Sequence, residues 1–194
     1  VSPITELCQV LTGDLYQPDV FVIGSLLPTS SARNELLWIA GVPVEQSIQM
    51  AVNEINQGGG LLAGRKLVHI GCDTAGDVNK ARIAAAHLID VVGVKAVIGP
   101  ALSSEYSSVC VDVASAKGAL LISPSATSPA LSNLEDDGLC WRAAINDAAQ
   151  APALFARLVA ENVAEVVLVF ATNDAYGLGM RDNFLMQDWP EGVR

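Results

Sequence analysis

Two stretches of this sequence concentrate hydroxyl groups at positions suited to gripping a small polar molecule. One is Gly99-Pro100-Ala101-Leu102-Ser103-Ser104-Glu105; the other is Ile122-Ser123-Pro124-Ser125-Ala126-Thr127-Ser128-Pro129. Each follows a short apolar run of strand character, residues 95–98 and 119–122. Ser103 and Ser104 open a helical pattern, where free backbone N–H groups and the helix dipole favour an anion. Ser125 and Thr127 supply hydroxyls that can donate to a carboxylate, and backbone carbonyls there can accept from an ammonium. Either loop alone reads as a helix cap or a Ser/Pro turn. Two of them after neighbouring strands, with no base or nucleophile beside them, point to a binding site.

Other chemistries lack their residues. No G-x-G-x-x-G follows the first strand pattern, which runs into Leu27-Pro28-Thr29-Ser30-Ser31, so dinucleotide binding is not indicated. The stretch Gly59-Gly60-Leu61-Leu62-Ala63-Gly64-Arg65-Lys66 is a faint match to a phosphate loop. It lacks the Lys-Ser/Thr ending and lies after a helix and before a strand, so it reads as a helix stop and turn. There is no G-x-S-x-G elbow. His69 in a strand pattern and His87 in a helix pattern are not spaced as metal ligands and read as structural histidines. No catalytic residue, metal ligand or cofactor is therefore expected, and the protein is read as a non-enzyme.

The elements that must position the hydroxyl loops alternate. Apolar runs predict strands at 20–26, 66–72, 95–98, 119–122 and 165–170, with a shorter extended piece at 140–143. Helical periodicity falls between them. Val44, Ile48, Ala51, Val52 and Ile55 share one face over 43–57. Val78, Ala81, Ala85, Leu88, Ile89 and Val92 form a stripe after Asp77, a good N-cap. Tyr106, Val109, Cys110 and Val113 follow Ser103. Ala151, Leu154, Phe155, Leu158 and Val159 face inward over 147–162, and a last helix follows Gly177. Strands that read as continuous apolar runs between helices belong to a parallel sheet buried on both faces. The fold class is α/β, an open doubly wound parallel sheet; a closed barrel is the weaker alternative, because it takes roughly 250 residues.

The 194 residues carry 11 Lys+Arg against 21 Asp+Glu, a formal net charge of −10. That field repels phosphates, and no basic cluster breaks it, so a nucleic-acid partner is excluded. With 51% hydrophobic residues the chain can build a core. No apolar run approaches the roughly 20 residues of a membrane-crossing helix. Cys8, Cys72, Cys110 and Cys140 contain no C-x-x-C pair and allow three disulfide connectivities or four buried thiols. The chain opens on Val and closes on Trp189-Pro190-Glu191-Gly192-Val193-Arg194 without a closing element, so it is expected to stop partway through its fold.

Four segments together resemble the type I periplasmic solute-binding proteins, in particular the branched-chain amino-acid (Leu/Ile/Val) receptors of ABC importers. They are Ala51-Val52-Asn53-Glu54-Ile55-Asn56-Gln57-Gly58-Gly59-Gly60 with Gly64-Arg65-Lys66-Leu67; Val97-Ile98-Gly99-Pro100 with Ser103-Ser104; Leu121-Ile122-Ser123-Pro124-Ser125-Ala126-Thr127-Ser128-Pro129; and Asn173-Asp174-Ala175-Tyr176-Gly177-Leu178-Gly179. Their order matches the family over about residues 20–186. Residues 1–19, without clear periodicity and with Pro3, Gly13 and Pro18, read as an arm or linker and fall outside the resemblance. The resemblance implies two lobes closing on a ligand, a first at 20–143 and, at 144–194, the crossover and first βα unit of a second.

By the same resemblance Ser103 and Thr127 hold the ligand carboxylate, with Ser104 beside them. Ser125, Ala126 and Thr127 lie near its ammonium, Tyr176 covers the closed cleft, and Trp38, in the loop after the first strand, walls the side-chain pocket. Gln150 also recurs there, although with Asp147 it is spaced as a capping box; Asp174 reads as a turn residue. The implied partners are an amino acid, a membrane permease of an ABC importer, and either a second chain or further C-terminal sequence that completes the second lobe. The implied compartment is periplasmic or extracellular, with or without a membrane anchor, which favours a disulfide at Cys72 or Cys110. A half-cleft is expected to bind weakly or not at all, because it cannot desolvate and pair both charges. A ligand-sensing ectodomain of the same fold, or an α/β enzyme with its catalytic residues elsewhere, are the competing readings.

Overall fold

A computed structural model describes residues 2, 4–30, 35–61 and 64–191. The strands are β1 (Cys8–Thr12), β2 (Phe21–Leu27), β3 (Leu67–Asp73), β4 (Ala96–Ile98), β5 (Leu120–Ser123) and β6 (Cys140–Arg142). The helices are α1 (Glu35–Gln57), α2 (Val78–Ala86), α3 (Ser103–Val109), α4 (Gln150–Ala160) and α5 (Ala175–Leu185). All six strands form one sheet in the order β1-β3-β2-β4-β5-β6. The last five in that order run parallel, and β1 pairs antiparallel with β3. This is the doubly wound parallel arrangement that the apolar runs predict.

Side-chain alternation sends neighbouring strand residues to opposite faces. Leu26, Ile70 and Cys72 pack with Ala81, Leu88, Tyr106 and Val109 from α2, its continuation and α3, whereas Leu27 and Leu67 pack with Ile48 and Val52 from α1. The stripes expected for α2 and α3 therefore face the core. Asp77 caps α2 by accepting from the N–H groups of Asn79 and Lys80 at 2.8 and 3.0 Å, and α1 ends before the glycine run as predicted.

Six expectations need correction. Residues 8–12 of the expected arm form β1, which a disulfide joins to β3 through Cys8 and Cys72. Helix α1 begins eight residues before Pro43, which sits inside it. Trp38 therefore belongs to a helix rather than a loop, and its side chain lies outside the described residues. The run 165–170 forms no strand and pairs with none of the six, and Val167 and Val169 are 77% and 93% exposed. The capping box at Asp147 does not form, because α4 starts at Gln150 and Ala149 occupies the cap position; the Asp147 carboxyl is buried and its backbone carbonyl takes the N–H groups of Gln150 and Ala151 instead. Only Ala151 of the expected α4 stripe is buried, and Leu154 and Val159 are exposed.

Candidate functional site

Register brings the two hydroxyl loops together. Ile98 at the end of β4 pairs with Ile122 of β5, so the chain leaves both strands side by side at their carboxyl ends, where ligands bind in open α/β sheets. Gly99 makes the exit possible. It adopts φ +105°, and a Cβ there would run into the carbonyl oxygen of Leu26. Gly99→Ala is expected to cost about 2 kcal/mol through that clash and the unfavourable φ, read as a lowered urea midpoint with an unchanged slope.

The loops are braced to each other. Gly99 N–H donates to Ile122 O at 2.8 Å, Ser123 Oγ donates to Pro100 O at 2.6 Å, Ser125 Oγ donates to Ala101 O at 2.9 Å, and Ser128 N–H donates to Ser103 Oγ at 3.3 Å. Helix α5 closes over them. Ser104 Oγ accepts from Ala175 N–H at 2.7 Å and donates to Asp174 Oδ1 at 3.1 Å, and Ser128 Oγ donates to Ala175 O at 3.0 Å. Asp174 is thus more than a turn residue: it caps α5 through Gly177 N–H and anchors it to α3. Gly179 lets α5 lie close, since a Cβ there would sit 2.7 Å from Ser128 Oγ.

Between these elements lies a cleft of about 810 Å³. It brings together Ser103, Ser104, Ser125, Thr127 and Tyr176. Ser103 is nearly buried, Ser125 is exposed, Thr127 is half-buried and Tyr176 is 43% exposed. Ala126 is not among the lining residues: it packs in the core, and its N–H donates to Ser123 Oγ at 3.0 Å. Asp77, Asn79, Glu105 and Asn173 also line the cleft and were missed as site residues. Their one sequence signal was position, at or near helix starts that follow apolar runs.

The bracing bonds decide what each hydroxyl has left. Ser103 Oγ receives a backbone N–H, so its own proton is available to donate. Ser125 Oγ has given its proton to a carbonyl, so its lone pairs are available to accept. Ser104 is engaged in both senses with α5. Thr127 Oγ1 makes no hydrogen bond among the described residues, while Thr127 O receives Asp147 N–H at 3.0 Å.

A family model described as "Periplasmic binding protein" matches residues 21–186. The chain belongs to this family. A chemotactic signal transduction system substrate-binding protein, BasB of Halobacterium salinarum, is 32% identical over 166 residues, covering 82% of this chain and 39% of the relative. The Leu/Ile/Val-binding protein BraC3 of Rhizobium johnstonii is 32% identical over 145 residues, covering 74% and 38%. Among solved structures, the branched-chain amino acid transporter substrate-binding protein LivJ of Streptococcus pneumoniae in complex with isoleucine superposes with a TM-score of 0.75 at 27% identity, over 86% of this chain and 46% of that one. This periplasmic binding protein thus spans about two fifths of the length of the curated relatives it matches. The family is one of periplasmic or extracellular solute-binding proteins. The bridges Cys8–Cys72 and Cys110–Cys140 suit such an oxidising compartment, and no helix among the described residues is long and apolar enough to cross a membrane.

Proposed function

We propose that this chain supplies one wall of an amino-acid-binding cleft in a solute receptor that delivers its ligand to the membrane permease of an ABC importer. The observation that carries the reading is the sorted polarity of the loop hydroxyls. Ser103 is left to donate, as a carboxylate requires, and Ser125 is left to accept, as an ammonium requires. Thr127 stands beside them with its hydroxyl unengaged, and Tyr176 reaches in from α5 as the cover. The support from relatives agrees in kind, since BraC3 is described as binding Leu/Ile/Val and LivJ was solved with isoleucine. Binding is capture without bond-breaking, with closure favoured by contacts from both sides of the cleft. On this reading the division into a first lobe at 20–143 and the start of a second at 144–194 places the cleft between them, and the receptor works outside the cytoplasmic membrane, free or anchored.

Calorimetric titration of the protein at its natural length against an amino-acid panel tests this. At least one amino acid is expected to bind, and Thr127→Val is expected to weaken it about tenfold by removing one hydroxyl contact to a charged group. Binding of another solute class with no amino acid bound would overturn the ligand assignment.

A second reading, a sensory receptor, is favoured by the resemblance to BasB, described as part of a chemotactic signal transduction system. Gene context separates the two: a permease and ATPase beside the gene supports transport, and a transmembrane signalling protein supports sensing.

A further inference from the structure

The chain that leaves β6 toward α4 is stitched to the second hydroxyl loop. Ala143 N–H donates to Ser123 O at 2.9 Å, and Asp147 N–H donates to Thr127 O at 3.0 Å. Asn146 Nδ2 donates to Ser132 Oγ at 2.9 Å. Arg142, the last residue of β6, makes the central contact. Its Nη1 donates to Ser128 O at 2.8 Å, and its Nη2 donates to Ser132 Oγ. Arg142 does not line the cleft, so it acts on a ligand only through the residues it holds.

Ser128 is the relay. It is 0% exposed, and its three polar groups reach three different elements. Its N–H donates to Ser103 Oγ at 3.3 Å, its Oγ donates to Ala175 O at 3.0 Å, and its carbonyl takes the Arg142 guanidinium. Its backbone is extended, at φ −50° and ψ 133°, the region left open to a residue that precedes proline. The Arg142 bond is charge-assisted and therefore stronger than a neutral one. Without it the buried carbonyl loses its donor, a cost the loop relieves only by turning that oxygen toward water. Such a turn carries Ser128 N–H away from Ser103 Oγ. The Ser103 hydroxyl is then no longer held as a donor, and Thr127, one residue earlier, moves with the loop.

We propose that Arg142 is a positioning residue for ligand capture, acting through Ser128 to hold Ser103 and Thr127 for the ligand's α-carboxylate. This rests on the amino-acid reading of the site and deepens it. Ser125 is braced separately, to Ala101 O, so the ammonium contact depends on Arg142 far less.

The test is calorimetry on the natural-length protein with leucine and with leucinol, which keeps the ammonium and side chain but lacks the carboxylate. Leucinol is read through its competition with leucine. Arg142→Met keeps an unbranched apolar stem and removes both bonds. It is expected to weaken leucine about tenfold and to leave leucinol within about threefold of its parent affinity. The leucine loss is expected to persist at about 0.5 M salt, which screens a long-range effect of the lost charge. Equal weakening of both ligands, as a general loosening of the fold would produce, overturns the inference. So does a loss that salt abolishes, or no loss at all; each of these leaves the amino-acid reading standing. If leucine does not bind the parent protein, the pair becomes the tightest amino acid of the panel and its amino alcohol. If no amino acid binds, the reading of the site falls and the inference with it. Should Arg142→Met fail to fold, Arg142→Lys keeps the charge but reaches only one of the two acceptors. It is expected to lose about threefold for leucine alone, and an unchanged leucine-to-leucinol ratio overturns the inference.

Discussion

Replacing both Cys8 and Cys72 by Ala is expected to lower the stability of this protein by about 4 kcal/mol. The bridge joins residues 64 apart in sequence, and closing a loop of that length removes chain entropy from the unfolded state worth about 4 kcal/mol in the loop-closure model. For a chain of this size that corresponds to a fall of roughly 10 °C in Tm. The structural consequence is local. Strand β1 is an edge strand of five residues, held by antiparallel pairing with β3 in which Cys8 faces Cys72. Without the covalent link its amides should exchange first. Thermal melting and hydrogen exchange read the two effects together. An unchanged Tm would mean that the bridge does not constrain the unfolded chain. The Cys110–Cys140 bridge spans only 30 residues, so its removal is expected to cost somewhat less. Neither bridge lines the cleft, so the geometry of its hydroxyl loops should survive both changes.

The parallel strands and their helices were legible because periodicity is a local signal and each element carries its own. Val97 and Leu121, or Ala81 and Ala85, declare their faces within a few residues. Features that depend on a distant partner were not legible. Strand β1 exists because β3 lies beside it some 60 residues later, and the bridges could not be chosen from three connectivities. Residues 165–170 show the converse: Glu165-Val166-Val167-Leu168-Val169-Phe170 has strand composition, but composition does not supply the neighbour that a strand must bond to. In the cleft, hydroxyls in turns after strands were visible in sequence, whereas the bracing that leaves Ser103 a donor and Ser125 an acceptor depends on tertiary contacts across more than twenty residues. Glu105 looked like an ordinary first-turn carboxylate, and only its burial distinguishes it.

One polar cluster on the opposite side of the sheet from α2 and α3 was within reach of the sequence. Ser25 interrupts the apolar strand FVIGSLL and His69 interrupts LVHIGCD, on residues that both point toward α1. There Glu45 completes the group. Ser25 Oγ lies 2.8 Å from Glu45 Oε2, and His69 Nε2 lies 2.9 Å from Ser25 Oγ and 3.1 Å from Glu45 Oε1. His69 is thus a structural histidine, as expected, but one satisfied on a single side: its Nδ1 is buried with no partner among the described residues.

This cluster gives the second large effect, which depends on pH. Burial raises the Glu45 carboxyl to about 7, against the opposing Ser25 hydrogen bond, and lowers the His69 imidazole to about 4. The raised carboxyl stabilises the fold fully below its ordinary value of 4.5 and loses that contribution as pH rises through 7. The lowered imidazole contributes above its ordinary value of 6.5 and loses that contribution as pH falls through 4. Across the window between 4.5 and 6.5 the slopes cancel, because the unfolded chain carries one proton on His69 and the folded chain carries it on Glu45. Removing one partner exposes the other. Relative to the parent protein, Glu45→Gln should gain stability by about 3 kcal/mol as pH rises from 4.5 to 7, and His69→Gln should lose a similar amount, about 3 kcal/mol, as pH rises from 4 to 6.5. Urea midpoints at intervals across that range measure both. A variant curve running parallel to the parent's would show that the substituted group titrates in the folded protein as it does in the open chain, and that burial at the α1 face does not hold it neutral.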